Sequence, residues 1–177
     1  MLVEKITYGT LSAGNGAGFI GFQITLGGEG KEVSPQEIIK KITTLQKTAF
    51  PKLVRFIIGD EIDEGQTLAL VKTLIDWGYS IQTVTTGEAW HPFMGHTYNI
   101  VRLTSPSWLG FVCNELWFAL DGGEEELSDP ILPGGKIEGC LYYILPTDGL
   151  WNYMLSSSLP WAILPKPAKN LLMEVEI

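Results

Sequence analysis

Apolar and polar positions along the first half of the chain switch between two periods, and the switches mark its elements. Residues 3–8 read as a short strand, and 11–18, rich in Gly, Ser, Ala and Asn, as a loop. Phe19-Ile20-Gly21-Phe22-Gln23-Ile24-Thr25-Leu26 is aromatic and β-branched, a strand broken by Gly27-Gly28-Glu29-Gly30-Lys31. Ser34-Pro35-Gln36-Glu37 then spells a capping box, with proline at the first helical position. Val33 and Ile38 take the staple positions, and Ile38, Ile39, Ile42 and Leu45 form one apolar stripe. That pattern predicts a helix from Ser34 to about Lys47.

Leu53-Val54-Arg55-Phe56-Ile57-Ile58 is nearly continuous in apolar residues, as in a strand covered on both faces. A second helix is predicted over 64–77, with Leu68, Val71, Leu74 and Ile75 inward and Gly78 just past its end. Residues 79–85 form the next strand, closed by Thr86-Gly87-Glu88. Strand, helix, strand, helix, strand joined by short loops predicts parallel βαβ units. The helical signal then fades. Residues 98–103, 115–120 and 139–145 read as strands, and 104–114 is too short for a crossover helix. Residues 124–127 suggest one helical turn. From Pro146 onward the chain is rich in Pro, Trp, Ser and Tyr and reads as an irregular tail ending in a strand at 171–177. The expected class is α/β: a mostly parallel sheet with fewer helices in the C-terminal half.

At 177 residues, 45% hydrophobic and 18% charged, the chain fits one folded domain, 1–177. Its net charge of −8 argues against a nucleic-acid partner, which would need a basic face. The start of the chain shows no basic region followed by an apolar one, and no run of about 20 apolar residues would span a membrane. A cytoplasmic protein without a membrane or nucleic-acid partner is the expectation. Cys113 and Cys140 make no disulfide framework, although a single bridge stays open. Cys113 lies in apolar surroundings and reads as a buried, inert thiol, and Cys140, which opens a strand, reads the same way.

Short motifs at the strand ends form a second pattern. Ile58-Gly59-Asp60-Glu61-Ile62 follows one strand and Thr83-Val84-Thr85-Thr86-Gly87-Glu88 ends the next. Ser105-Pro106-Ser107, Asn114-Glu115-Leu116 and Tyr143-Ile144-Leu145-Pro146 come after them. Over 19–146 this order resembles a radical S-adenosylmethionine (SAM) domain, most of all the 7-carboxy-7-deazaguanine synthase branch. The resemblance implies an abbreviated (β/α) partial barrel, with 147–177 as a tail outside that core. It also implies that Gly59-Asp60-Glu61 stands where the family's Gly-Gly-Glu-Pro holds the methionyl amine of SAM. Thr85-Thr86 and Ser105 would lie along the same edge. The departures are equally specific. Asp60 and Ile62 replace a glycine and the proline, Ala13-Gly14-Asn15-Gly16 replaces Gln-Gly-Glu-Gly, and Gly21 stands near the family's arginine. Gly27-Gly28-Glu29-Gly30-Lys31 replaces the cysteine loop, so no iron–sulfur cluster is expected; such a cluster needs several converging thiolates.

Taken as chemistry, Glu61 sits at the carboxyl edge of a parallel sheet, where ligands of α/β sheets bind, and its carboxylate can accept from an amine. It reads equally as a solvated acid or a helix cap. Gly59 and Gly87 serve either close approach of a ligand or a turn. His91 and His96 flank Pro92 and Gly95 and have no third metal ligand in sequence reach. No nucleophile triad is recognisable. Gly14-Asn15-Gly16-Ala17-Gly18 precedes a strand and so lacks the context of a phosphate loop. Of the six tryptophans, Trp90, Trp108 and Trp151 fall in loops, where they plug a core or mark an interface.

Three function classes follow. The first is a non-catalytic binding module or pseudoenzyme with a SAM- or nucleoside-like site at Gly59, Asp60, Glu61, Thr85, Thr86 and Ser105, alone or as a homodimer. The second is an enzyme using Asp60, Glu61, Glu88 and His91 in acid–base chemistry. The third is a structural or protein-interaction subunit.

Overall fold

The computed structural model describes residues 1–12, 18–46, 52–103, 113–118, 139–144, 161–163 and 172–177. The strands are β1 (Leu2–Ser12), β2 (Gly18–Leu26), β3 (Lys31–Glu32), β4 (Leu53–Ile58), β5 (Ser80–Thr85), β6 (Tyr98–Leu103), β7 (Glu115–Phe118), β8 (Leu141–Ile144), β9 (Trp161–Ile163) and β10 (Leu172–Val175). Between them lie α1 (Pro35–Leu45), α2 (Glu64–Asp76) and a 3-10 turn (Pro92–His96). The sheet runs β10-β1-β2-β4-β5-β6-β7-β8-β9, and β3 pairs separately with β1. β2 through β9 along this path are all parallel, while β1 is antiparallel to β2, β3 and β10. The chain is therefore α/β with a mostly parallel sheet, and among the described residues no α-helix follows α2. No helix of these residues is long and apolar enough to cross a membrane.

Local sequence sets the early elements closely. Ser34 caps α1: its Oγ accepts from the Glu37 amide, and Glu37 accepts from the Ser34 amide at 3.0 Å. These bonds hold the Glu37 carboxyl below its usual range. Asp63 caps α2 in the same way, accepting from the Gln66 amide at 2.9 Å. Gly78, at φ +81, ends that helix in the left-handed conformation expected of it.

Alternation along the strands divides the sheet into two different faces. Phe22, Ile24 and Leu26 of β2, Val54, Phe56 and Ile58 of β4, and Ile81 of β5 point to one face. Ile38 and Ile42 of α1, Leu70, Val71 and Leu74 of α2, and Phe93 and Met94 of the 3-10 turn close over them as the core. The residues in between point the other way. There Thr7, Gln23, Arg55, Gln82 and Tyr98 stand opposite one another in register, a polar row across five strands.

Two differences from the sequence expectation stand out. The first strand reaches Ser12 and forms a long antiparallel pair with β2, because every residue from Lys5 to Ser12 finds a register partner in residues 18–25. Part of the proline- and tryptophan-rich tail read as irregular, Trp161–Ile163, joins the sheet as β9 beside β8, while β10 beside β1 falls within the strand expected at 171–177. Pairing to a distant strand, absent from any local pattern, orders β9. The one helical turn expected at 124–127 lies outside the described residues.

Loss of the α1 cap is the first expected outcome. Ser34→Ala lowers stability by about 1 kcal/mol, read as a shift in the urea midpoint without a change in slope.

Candidate functional site

The carboxyl ends of the parallel strands form the edge where the sequence places its site, and two loops meet there. Gly27, just past β2, adopts φ +89, and a Cβ built on it would stand 2.1 Å from the carbonyl oxygen of Asp60. No side chain fits in that space, so the Gly-rich break after β2 is what allows the β4–α2 loop to sit against it. Gly59 donates its amide to the Leu26 carbonyl at 3.0 Å, and a Cβ there would lie 2.7 Å from the same oxygen. Its glycine is required by close approach of the neighbouring strand, with the amide already used.

Asp60 and Glu61 are exposed on this loop. Glu61 has φ +56, and among the described residues it alone departs from the glycine rule for positive φ. Such a conformation costs an L-residue about 1 kcal/mol or more and clusters at functional loops. Thr85 is buried at the end of β5, where its Oγ1 accepts from the Gly87 amide at 3.3 Å. Gly87 has φ +89, so this pair builds the turn. Thr86 is exposed beside it. Ser105, like Trp108 and Trp151, lies outside the described residues. Of the six residues proposed from sequence, the structure brings Gly59, Asp60 and Glu61 onto one loop and puts Thr85 and Thr86 at the end of the adjacent strand.

A pairing the sequence reading did not make lies on the same side of the sheet. His91 precedes the 3-10 turn, stacks on Phe93 with ring centroids 5.3 Å apart, and places Nδ1 2.8 Å from Glu64 Oε1. Glu64 is the first residue of α2. His96 is exposed at the end of the turn, and among the described residues no three His, Cys, Asp or Glu side chains converge as a metal site would require. The two cysteines stand at the opposite end of the strands, just before β7 and β8. Thiols there, with none in the Gly27–Lys31 loop, do not fit an iron–sulfur cluster at the carboxyl edge.

The sheet's second face carries the densest polar chemistry. Arg55 is 5% exposed and donates Nε and Nη2 to Gln82 Oε1 at 3.0 and 2.7 Å. Glu115, also 5% exposed, accepts from the Tyr98 hydroxyl at 2.9 Å and from Trp117 Nε1 at 2.6 Å. Burial pulls the Arg55 guanidinium below its usual value and the Glu115 charge opposes that pull, leaving the group a cation as arginine is in proteins. Burial, and then the bond to Glu115, push the Tyr98 phenol well above its usual value. Tyr143 is raised by burial and by the same carboxylate. Arg55 sits third in β4, Gln82 third in β5, and Tyr98 and Glu115 open their strands. This network therefore lies toward the amino ends, away from the carboxyl edge. The sequence did carry one signal for it: a lone arginine inside an otherwise apolar strand.

No protein-family model matches the chain, and no curated protein matches it. The geometry of the edge and of the polar face therefore carries the functional argument.

Removal of one member of the buried network has a defined expected outcome. Glu115→Ala removes the acceptor of the Tyr98 hydroxyl and the Trp117 N–H and takes away the negative charge beside buried Arg55, a loss of about 2 kcal/mol by urea denaturation, with Glu115→Gln losing less. A second outcome concerns pH. The folded-state value of Tyr98 lies above its unfolded value, so its contribution is complete below pH of about 10 and is lost as pH rises beyond that. Alkaline unfolding followed by circular dichroism should show stability falling in that range, with a shallower fall in Tyr98→Phe.

Proposed function

We propose that this chain is a non-catalytic binding module on a radical-SAM-like scaffold, an abbreviated (β/α) partial barrel. It holds a small cationic molecule of the SAM or nucleoside class at the carboxyl edge of its sheet. The observation that carries this reading is Glu61. It is an exposed carboxylate held at φ +56 on the loop after β4. The position follows the strand end where, in the family the sequence resembles, a glutamate receives the methionyl amine. SAM bears an ammonium and a sulfonium, and Asp60 and Glu61 offer two carboxylates on one loop. Thr86 adds an exposed hydroxyl from the adjacent strand end. The poor fit of the cysteines to a cluster supports binding without reductive cleavage.

The Glu64–His91 pair favours a second reading, acid–base catalysis at the same edge. A histidine fixed through Nδ1 by a carboxylate presents Nε2 for proton transfer, and the 2.8 Å contact has that form. An interaction subunit is the third alternative, and it predicts no small-molecule heat at this edge.

Calorimetric titration of the metal-free protein with SAM tests the first reading. Binding is expected, weakened about tenfold or more in Glu61→Ala through loss of a charged hydrogen bond of about 1.5–3 kcal/mol. Glu61→Gly should weaken binding equally while raising the urea midpoint, since glycine adopts the left-handed conformation without the penalty. No heat with the wild-type protein rejects the reading, and unchanged affinity in both variants rejects the role of Glu61.

A further inference from the structure

The chain contains two cysteines, 27 residues apart in sequence. Folding brings their sulfurs to 3.6 Å. Cys113 lies just before β7 and Cys140 just before β8, two adjacent parallel strands. Register pairs Glu115 with Leu141, so the cysteines are staggered by one residue across the pair. In regular strands that stagger would send their side chains to opposite faces. Here both residues precede the regular ladder, and Gly139, at φ +76, turns the chain immediately before Cys140. A Cβ at Gly139 would meet nothing within 4 Å, so the backbone conformation alone calls for glycine. The irregular strand starts thus converge the thiols. Both are buried, Cys113 at 3% and Cys140 at 6% exposure.

We propose that Cys113 and Cys140 form a reversible intrachain disulfide that staples the amino ends of β7 and β8. A bond needs the sulfurs to close to about 2.05 Å, a movement that side-chain rotation at two strand ends can supply. The oxidant is a low-molecular-weight disulfide of the glutathione class. Cys140 loses its proton and its thiolate attacks one sulfur of that disulfide, forming a mixed disulfide and releasing one thiol. Cys113 then loses its proton and attacks the Cys140 sulfur, which releases the second thiol. Two protein thiols are oxidised, one small disulfide is reduced, and the two protons go to the departing thiolates. The order of attack follows from the contact itself. Either sulfur can donate in this contact, which lowers the Cys140 thiol while the same contact and burial raise Cys113. In a compartment where thiols are kept reduced, such a bond forms under oxidising conditions and reopens afterwards.

The product would clamp the two strands next to Glu115, whose carboxylate bears on both thiols. It would also close the connection between β7 and β8 into a ring, which restricts the unfolded chain and raises stability.

The test uses the purified full chain, reduced and then equilibrated with oxidised glutathione. It is quenched with acid, unfolded, alkylated with N-ethylmaleimide and weighed by mass spectrometry. The expected product has lost two hydrogens, takes up no alkylating agent, and yields a peptide cross-linked from 113 to 140. Its unfolding temperature should rise by about 5–10 °C over the reduced form, reversed by a thiol reductant. Cys113→Ser and Cys140→Ser should each leave one alkylatable thiol or a mixed disulfide and show no thermal gain. Repeating the equilibration in urea below the transition separates slow access to the buried sulfurs from wrong geometry. Two alkylatable thiols under both conditions, two mixed disulfides, or an intermolecular dimer would overturn the proposal.

Discussion

A guanidinium in the middle of a sheet must be satisfied where it stands, and Arg55 sets the character of the face it occupies. Strand alternation leaves no choice about the side it points to: Val54 and Phe56 are committed to the helices, so Arg55 faces the other way. In register beside it are Gln23 and Gln82, and beyond them Thr7 and Tyr98. Gln82 accepts from the guanidinium, while Glu115 supplies opposite charge and itself receives Tyr98 and Trp117. A shift of one residue in any of these strands would turn its polar member into the apolar core, where a polar group without a partner is costly. Buried polar contacts of this kind contribute modest net stability, but they penalise wrong registers heavily.

The parallel strands give the molecule two functionally distinct ends. Toward the amino ends lie the Arg55–Gln82 and Tyr98–Glu115 contacts and the paired cysteines. At the carboxyl ends lie Glu61, Thr86 and the Glu64–His91 pair. In the first set Arg55, Glu115 and both cysteines are buried and the polar groups bond to one another, which suits holding the sheet together. The second is largely exposed and is built on loops fixed by close packing, above all Gly27 against Asp60. In open α/β sheets this second arrangement is where ligands are met, because helix starts and strand ends converge there.

The early elements were legible in the chain because their signals are local. A capping box, an apolar stripe at helical spacing, and a glycine after the helix each involve residues within a few positions of one another. α1, β4, α2 and β6 accordingly fall where the pattern puts them, within a residue or two. The segments that departed from expectation depend on partner strands: the extension of β1 to Ser12 pairs along β2, and β9, three residues long, exists through β8 beside it. The candidate site divides in the same way. Gly59, Asp60 and Glu61 are contiguous, so their common loop was readable. The positive φ of Glu61, the burial of Thr85 in its own turn, and the contact between Gly27 and Asp60 were not.

The sequence by itself determined the class of the fold, the alternation of its first strands and helices, and the absence of a clustered cysteine motif. These rest on propensity, period and residue identity, which are properties of neighbours in the chain. Only the tertiary structure decided that His91 pairs with Glu64, that Arg55 shares a face with Gln82, and that Cys113 lies 3.6 Å from Cys140. Each of these pairs joins residues 27 apart in the sequence, and nothing local encodes them. The Arg55–Gln82 and Cys113–Cys140 contacts arise because parallel strands, linked through long connections, bring distant side chains side by side, and the Glu64–His91 contact because the start of α2 and the segment after β5 meet at the carboxyl edge.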